Sequence, residues 1–208
     1  MTVTFTGYPV AALDFYDDLE QQNTKEFWAA NKHVYDESVL TPMKALTEAL
    51  APEFGVAKIF RPHRDVRFSK DKTPYKTAQG AFVATASSTG FYIQLSAAGV
   101  RVGAGCYRME PAQLSAFRAA VANDIYGAEL ERILAGLDGF EVGGESLKTT
   151  PKGYDKDHPR IELLRHKSLT AGRLLGFEPV IHTEELLDVV RDDWRTLRSL
   201  VEWLNTHS

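Results

Sequence analysis

The chain has a single cysteine and no long hydrophobic run. These two features limit the kinds of protein that it can be. Among 208 residues Cys106 stands alone, which excludes an intrachain disulfide framework and indicates a reducing compartment such as the cytoplasm. No stretch approaches the roughly 20 apolar residues that a membrane-spanning helix requires. The first residues also lack a basic stretch followed by an apolar run. We therefore expect a cytoplasmic protein with no secretory signal and no membrane partner.

The common signatures of catalysis and cofactor binding are absent as well. Gly103 and Gly105 form a G-x-G pair, but no third glycine and no immediate helix follow, so the dinucleotide fingerprint is not met. The Walker A, H-E-x-x-H and G-x-S-x-G patterns do not occur. No histidine or cysteine spacing is typical of a metal site. We expect no metal and no cofactor, and without an evident nucleophile the question of enzymatic activity stays open.

The chain does contain one dense concentration of positive charge, which we call the basic segment (Lys58–Lys76). It holds seven basic and two acidic residues, a net charge of +5, whereas the whole chain carries −4 and the remaining residues therefore −9. A strongly basic region on an acidic protein is either a site for an anion or a network of internal ion pairs. The overall acidity argues against a general nucleic-acid coat protein.

The pattern of elements predicts an α+β fold in a single domain, residues 1–208. Residues 1–55 show helical periodicity, residues 56–108 are rich in strands and include the basic segment, and residues 109–208 alternate helices with short strands. Helices that precede and follow a run of strands indicate a central, largely antiparallel sheet flanked by N-terminal and C-terminal helices. The predicted strands cover residues 58–69, 79–86, 90–96 and 99–106.

Within the basic segment, side chains alternate between two faces if residues 63–69 are extended. His63, Asp65 and Arg67 then share a face, and Asp65 lies within reach of opposite charge and can orient an arginine. An arginine fork suits the paired oxygens of a phosphate or carboxylate. The candidate ligand-binding residues are Arg61, Arg64, Asp65, Arg67, Lys72, Tyr75, Lys76 and, from a second region, Arg165.

That second region, which we call the C-terminal block (Pro151–Lys167), also carries several cations. Pro159 is expected to open a short helix after His158. The sequence leaves open whether the basic side of this block faces the basic segment across one cleft. The alternative is a capped surface helix with no ligand. His63 and His158 are weak candidates for acid–base catalysis.

The order of residues in the basic segment resembles a known family. Arg61, Arg64–Asp65, Arg67–Phe68, Asp71–Lys72 and Tyr75 match the pattern of the bacterial conserved-hypothetical family catalogued as domain of unknown function 2461. The segments EFWAANKHVYDESVLTPM, GFYIQLSAAGVRVGAGCY and PKGYDKDHPRIELLRHK extend the resemblance over nearly the whole chain. It implies a stand-alone bacterial protein of about this size, and it implies no activity, substrate or cofactor.

Three functions remain compatible with these residues. The first is a cytoplasmic module that binds a phosphorylated or carboxylated small molecule through Arg61, Arg64, Arg67 and Lys72. The second is binding of nucleic acid through the same cations, with an affinity that falls steeply with salt. In the third, the basic segment is a structural ion-pair network in a protein-interaction domain.

Overall fold

The structure is a computed structural model that describes residues 4–67 and 70–208. The helices of this part, in chain order, are α1 (Val10–Gln21), α2 (Lys25–Val34), a π-helix (Tyr35–Leu40), α3 (Thr41–Phe54), α4 (Pro111–Ala122), α5 (Asp124–Ala135), α6 (Ile161–Leu164), a 3-10 helix (Pro179–His182) and α7 (Leu186–His207). The strands are β1 (Lys58–Ile59), β2 (Ala78–Ala86), β3 (Thr89–Ser96), β4 (Gly99–Cys106), β5 (Glu141–Gly143) and β6 (Leu169–Gly176).

The strands form one six-stranded antiparallel sheet in the order β1-β2-β3-β4-β6-β5. At one edge Lys58 pairs with Phe82, and at the other edge Val142 pairs with Ala171. Both edge strands are only two or three residues long, and short edges of this kind limit pairing with other chains. The predicted α+β class with its antiparallel sheet is confirmed.

The chain divides into two compact units. The first comprises Met1–Val83, Tyr92–Val102 and Leu174–Asp192, and the second comprises Ala84–Phe91, Gly103–Arg173 and Asp193–Ser208. The prediction of a single domain over residues 1–208 stays a prediction.

The first unit contains the N-terminal helices, and local sequence explains where they begin and end. Thr24 caps α2 by accepting a hydrogen bond from the Phe27 amide at 3.1 Å, as its position before the helical periodicity predicts. Gly55 ends α3 with φ of 102°, a conformation that side chains disfavour. The largest fully buried side chains of this unit are Tyr8, Tyr16, Leu19, Met43, Leu46, Leu50, Ile93 and Leu95.

The second unit has a separate aromatic core. Phe91 lies 5.4 Å from Trp194 between ring centroids, and Phe117 contacts Trp203 edge to face at 6.0 Å. Trp203 satisfies its indole N–H by donating to the Tyr126 carbonyl at 3.1 Å. Large rings bury the most apolar area per residue, so these pairs contribute strongly to this core.

The basic segment differs from its predicted secondary structure, because the strand expected over residues 58–69 covers only Lys58–Ile59. Pro62 has no amide hydrogen to donate to a ladder, and a single antiparallel bridge joins His63 to Tyr75. The Arg64 amide donates to the Pro74 carbonyl at 2.9 Å, and the Lys76 amide donates to the Pro62 carbonyl at 2.8 Å. The segment is therefore a closed loop on a narrow base, and the predicted positions of Phe68 and Ser69 lie outside the described residues.

Within residues 4–67 and 70–208, no helix is both long enough and apolar enough to cross a bilayer.

Candidate functional site

The base of the basic segment is held in place by α2 and the residue that precedes its cap. Asn23 forms two hydrogen bonds with the backbone of Tyr75, donating to its carbonyl at 2.9 Å and accepting from its amide at 3.1 Å. The Tyr75 ring stacks on Trp28 with centroids 4.2 Å apart and planes 9° from parallel. Both rings are buried, so Tyr75 anchors the loop to the core of the first unit.

A buried glutamine fixes the start of the same loop. Tyr35, the first residue of the π-helix, donates its hydroxyl hydrogen to Gln79 Oε1 at 2.6 Å. Gln79 in turn donates from Nε2 to the carbonyls of Phe60 at 2.8 Å and Gly80 at 2.9 Å. A buried amide with its hydrogen bonds satisfied is costly to disrupt. This network holds the backbone of Phe60, immediately before Arg61, in a defined position.

Two ion pairs lie inside the loop. Arg67 binds Asp65 through two parallel contacts, Nε to Oδ1 at 2.9 Å and Nη2 to Oδ2 at 2.6 Å. Arg64 pairs with Asp71 across the loop. Asp71 also accepts from the Thr73 amide at 2.9 Å and from the Thr73 hydroxyl at 2.7 Å. The two acidic residues of the segment are thus already engaged by cations of the same segment.

These contacts lower the pKa of both carboxyl groups. Hydrogen bonds from the Arg67 side chain and backbone hold the pKa of Asp65 below its ordinary value of 3.8. The amide and hydroxyl of Thr73, together with Arg64, do the same for the pKa of Asp71. Both groups are exposed, so water screens the associated pairs and limits their contribution to stability.

Two lysines of the loop bind backbone oxygens instead of carboxylates. Lys72 donates to the Val66 carbonyl and Lys76 to the Arg61 carbonyl, each at 2.9 Å. Burial lowers the pKa of Lys76, and the nearby charges of Arg61 and Arg64 lower it further. Arg61 is exposed, and it forms no ion pair with a carboxylate of the described residues. The charges of Arg61 and Arg64 therefore both repel that of Lys76. Of the two carboxylates nearby, Asp71 pairs with Arg64, and the charge of Arg61 helps to lower the pKa of Asp65.

The surroundings of Tyr75 differ from what the sequence predicts, and His63 lies beside it. Tyr75 was expected to border the site among the cations, yet its ring is only 6 % exposed and faces Trp28. His63 is exposed, and its ring lies 5.1 Å from Tyr75 and 6.1 Å from Trp28. The aromatic anchor was not evident from the sequence because Trp28 lies 47 positions before Tyr75, on a helix whose apolar residues indicate only burial.

The C-terminal block lies in the second unit, where acidic side chains pair with both of its arginines and with Lys167. Arg160 contacts Glu131 at 2.9 Å and Asp124 at 3.5 Å, and its side chain is only 11 % exposed. Arg165, a predicted ligand residue, pairs with Glu162 at 2.7 Å.

The predicted helix of this block is short. α6 covers only four residues and begins two residues after Pro159. The Arg160 amide donates to Nδ1 of His158 at 3.0 Å, so this ring nitrogen acts as an acceptor. Three guanidinium nitrogens of the second unit are buried without a hydrogen-bond partner among the described residues: Arg118 Nη2, Arg160 Nη1 and Arg165 Nε. They have almost no accessible surface, so this arrangement gives a ligand no access to them.

The first unit contains a separate cleft, which the sequence did not indicate. This cleft differs from the basic segment in the charge of its lining. Its volume is about 380 Å³, and it lies beside the π-helix, with Thr4, Glu37, Thr41 and His182 in its lining. His182 donates from Nδ1 to the Tyr8 carbonyl at 2.6 Å, which fixes the ring. The described residues that line this cleft include no arginine or lysine, so it offers an anion little attraction.

Cys106 is buried at the end of β4, and its thiol donates to the Arg108 carbonyl at 3.3 Å. It behaves as a small apolar residue at a strand end. Among the described residues, no group of three or more His, Cys, Asp or Glu side chains is arranged to hold a metal ion.

Fold and site together define an α+β protein that carries an anchored, strongly basic loop on its first unit. Comparison with family models then identifies the chain: residues 11–203 match the family described as conserved hypothetical protein (DUF2461). The match covers almost the whole chain, so the protein belongs to this family and the resemblance read from the sequence is confirmed. No curated protein matches the chain.

Proposed function

We propose that this protein binds a phosphorylated or carboxylated small molecule through the basic segment. The observation that carries the proposal is the cluster of Arg61, Arg64 and Lys76, in which Lys76 Nζ lies 2.9 Å from the Arg61 carbonyl and the charges of Arg61 and Arg64 both repel that of Lys76. A bound anion would relieve this repulsion, because it supplies the negative charge that the segment lacks. Arg61 is the principal contact, since its exposed guanidinium can offer a bidentate pair of donors.

The other basic residues of the loop act mainly by giving it a fixed shape. Arg67 is engaged by Asp65, and Lys72 by the Val66 carbonyl, so these contacts hold the loop before a ligand arrives. A pre-ordered loop loses less conformational entropy on binding. Arg165 is not included in the proposed site, because its guanidinium pairs with Glu162. We place this binding in the cytoplasm, on the evidence of the lone Cys106.

The test is thermal unfolding at fixed ionic strength against phosphate, sulfate, nucleotides, sugar phosphates, carboxylates and short single-stranded DNA. A compound that binds the native state raises the unfolding midpoint. We expect a selective rise with one class of phosphate or carboxylate, and we expect Arg61→Gln to weaken that binding by about tenfold or more through loss of a charge-assisted hydrogen bond. Arg132→Gln, which alters an exposed arginine at the end of α5, is the matched control.

One observation favours a second candidate, the structural ion-pair network. The pairs Arg64–Asp71 and Arg67–Asp65 and the Lys72 contact all lie within the loop. If these contacts served only to hold the loop in shape, none of the small anions would shift the thermal unfolding midpoint, and Arg61→Gln would change no binding affinity. A rise with DNA alone, steeply reduced by added salt, would instead indicate nucleic-acid binding.

A further inference from the structure

A strip of aromatic surface continues from the basic segment onto the sheet of the first unit. Phe60 directly precedes Arg61, and Lys76 Nζ lies 5.5 Å from the centre of its ring. The Phe60 ring is 6.3 Å from the ring of Tyr92 on β3, with planes tilted by 32°. Both rings are partly exposed, so they extend the cationic cluster into an apolar surface.

Gly80 on β2 makes this arrangement of rings sterically possible. A Cβ atom at Gly80 would lie 2.7 Å from the Tyr92 hydroxyl oxygen and 3.1 Å from Phe60 Cδ2. The first distance is far shorter than a van der Waals contact, so any larger residue would push the Tyr92 ring aside. Glycine in a strand interior loses packing and often marks a close approach by another group. Here it lets two rings lie close over the backbone of β2.

Polar groups hold the far end of the strip. Tyr92 donates its hydroxyl hydrogen to Gln94 Oε1 at 2.7 Å, which fixes the ring's direction. Burial raises the pKa of Tyr92, and the positive charge of Arg101 on β4 opposes that rise. Arg101 forms no ion pair with a carboxylate in the described part of the chain. The aromatic strip is therefore bordered by cations at both ends.

We propose that Phe60 and Tyr92 form the floor for a planar aromatic group of the bound anion, so that the ligand is an aromatic phosphate or carboxylate. This inference rests on the proposed function, because Arg61 and Lys76 hold the anionic group beside the floor. Flat rings gain from contact with aromatic side chains, and this gain does not depend on ionic attraction. Arg101 favours a ring that carries hydrogen-bond acceptors, as a nucleobase does.

The first experiment compares two probes of equal charge, phenyl phosphate and methyl phosphate, by titration calorimetry at fixed salt. We expect the wild type to bind phenyl phosphate about tenfold more tightly, the usual size of an aromatic stacking gain. Tyr92→Leu should reduce that preference, measured as the ratio of the two affinities, to about twofold or less. Tyr92→Phe, which keeps the ring, is the matched control and should retain the preference. Arg61→Gln should weaken both probes by the same factor.

The outcomes separate this inference from the function on which it rests. If neither probe binds and no other small anion does, the proposed function fails and the inference fails with it. If both probes bind with equal affinity, or if Tyr92→Leu keeps the preference, the anion site stands and the aromatic floor is overturned. Should Tyr92→Leu not fold, magnetisation transfer between the phenyl protons and the Tyr92 ring of the wild type decides, and its absence overturns the inference.

A second pair of probes identifies the source of the aromatic group. Adenosine monophosphate and ribose 5-phosphate differ by a base, and a preference for the former that Arg101→Gln reduces would indicate a nucleoside phosphate. A preference restricted to phenyl over methyl phosphate would indicate a smaller aryl anion. Both results support the aromatic floor, whereas equal binding of the two compounds within each pair excludes it.

Discussion

The basic segment and the C-terminal block both carry excess positive charge in sequence, but they differ in which acidic residues pair with their cations. In the block, Arg160 contacts Glu131 and Asp124, and Lys167 pairs with Glu145; all three acids lie outside the block in sequence. In the basic segment, the acids that pair are its own two, Asp65 and Asp71. A segment's net charge therefore indicates an anion site only where distant acids do not neutralise it, and this difference directs attention to Arg61 and Lys76.

The largest expected effect comes from removing the anchor of the basic segment. Tyr75→Ala deletes a buried ring stacked on Trp28 and should lower the free energy of unfolding by about 3–5 kcal/mol, as truncation of large buried rings does. It should also abolish binding of the anion, because the loop loses its base. Chemical denaturation and calorimetry measure the two effects on the same sample.

The matched variant in the C-terminal block is Leu164→Ala, which truncates a fully buried side chain of α6. It should cost about 2–5 kcal/mol of stability and leave anion affinity unchanged in the folded fraction. Equal loss of binding in both variants would contradict the assignment of the site to the basic segment.

The next largest effect on stability compares an arginine that has ion-pair partners, Arg160, with one that has none among the described residues, Arg61. Arg160→Met removes a nearly buried guanidinium from Glu131 and Asp124 and should lower the free energy of unfolding by about 1–3 kcal/mol, between the values typical of exposed and buried pairs. Arg61→Met should change it by less than about 0.5 kcal/mol, because Arg61 is exposed. Denaturation midpoints at equal salt compare the two, and a cost at Arg61 as large as at Arg160 would favour the structural network.

Sequence reasoning succeeded where a single local rule decides the outcome. The strands predicted at 79–86, 90–96 and 99–106 and the cap at Thr24 agree with the structure within one residue, because alternation and capping are local. The strand predicted over 58–69 was wrong over residues 60–67, and its last two residues lie outside the described part of the chain. There Pro62 has no amide hydrogen to donate to a ladder, and the Asp65 carboxylate accepts the amide hydrogen of Arg67 in place of a ladder carbonyl.

The supports of the candidate site were harder to predict, because they lie far away in the chain. Asn23 reads as a helix stop in the sequence, but its side chain binds the backbone of Tyr75, 52 positions later. Gln79 reads as one polar residue in a strand, but it links Tyr35 to Phe60. The spacing of apolar residues along the sequence does not indicate such long-range hydrogen bonds. The charge of the segment was predictable, whereas its neutralisation depends on which acids the fold brings near.

A smaller effect follows from the lowered pKa of Asp71. A carboxyl group whose pKa is lower in the folded state contributes stability above its ordinary value of 3.8 and loses it as pH falls through the folded pKa. Asp71→Asn removes this contribution, so wild type and variant should differ near neutral pH and converge in acid. Thermal midpoints across that range measure the difference. A gap that stays constant as the pH falls would show that the Arg64–Asp71 pair adds nothing dependent on charge.

The smallest effect has the opposite sign and tests the repulsion that carries the proposed function. The pKa of Lys76 is lower in the folded state than its ordinary value of 10.5, so its charged form opposes folding at neutral pH. That penalty disappears as pH rises through the folded pKa towards 10.5, and the wild type should gain stability there relative to Lys76→Gln. Lys167 of the C-terminal block, which pairs with Glu145, provides the control variant Lys167→Gln.

A saturating anion at the site should abolish the gain, because its negative charge favours the ammonium form and returns the pKa of Lys76 towards its ordinary value. A gain that persists with bound anion would mean that burial alone, and not Arg61 and Arg64, depresses this group, and the cationic cluster would then lose its role in binding.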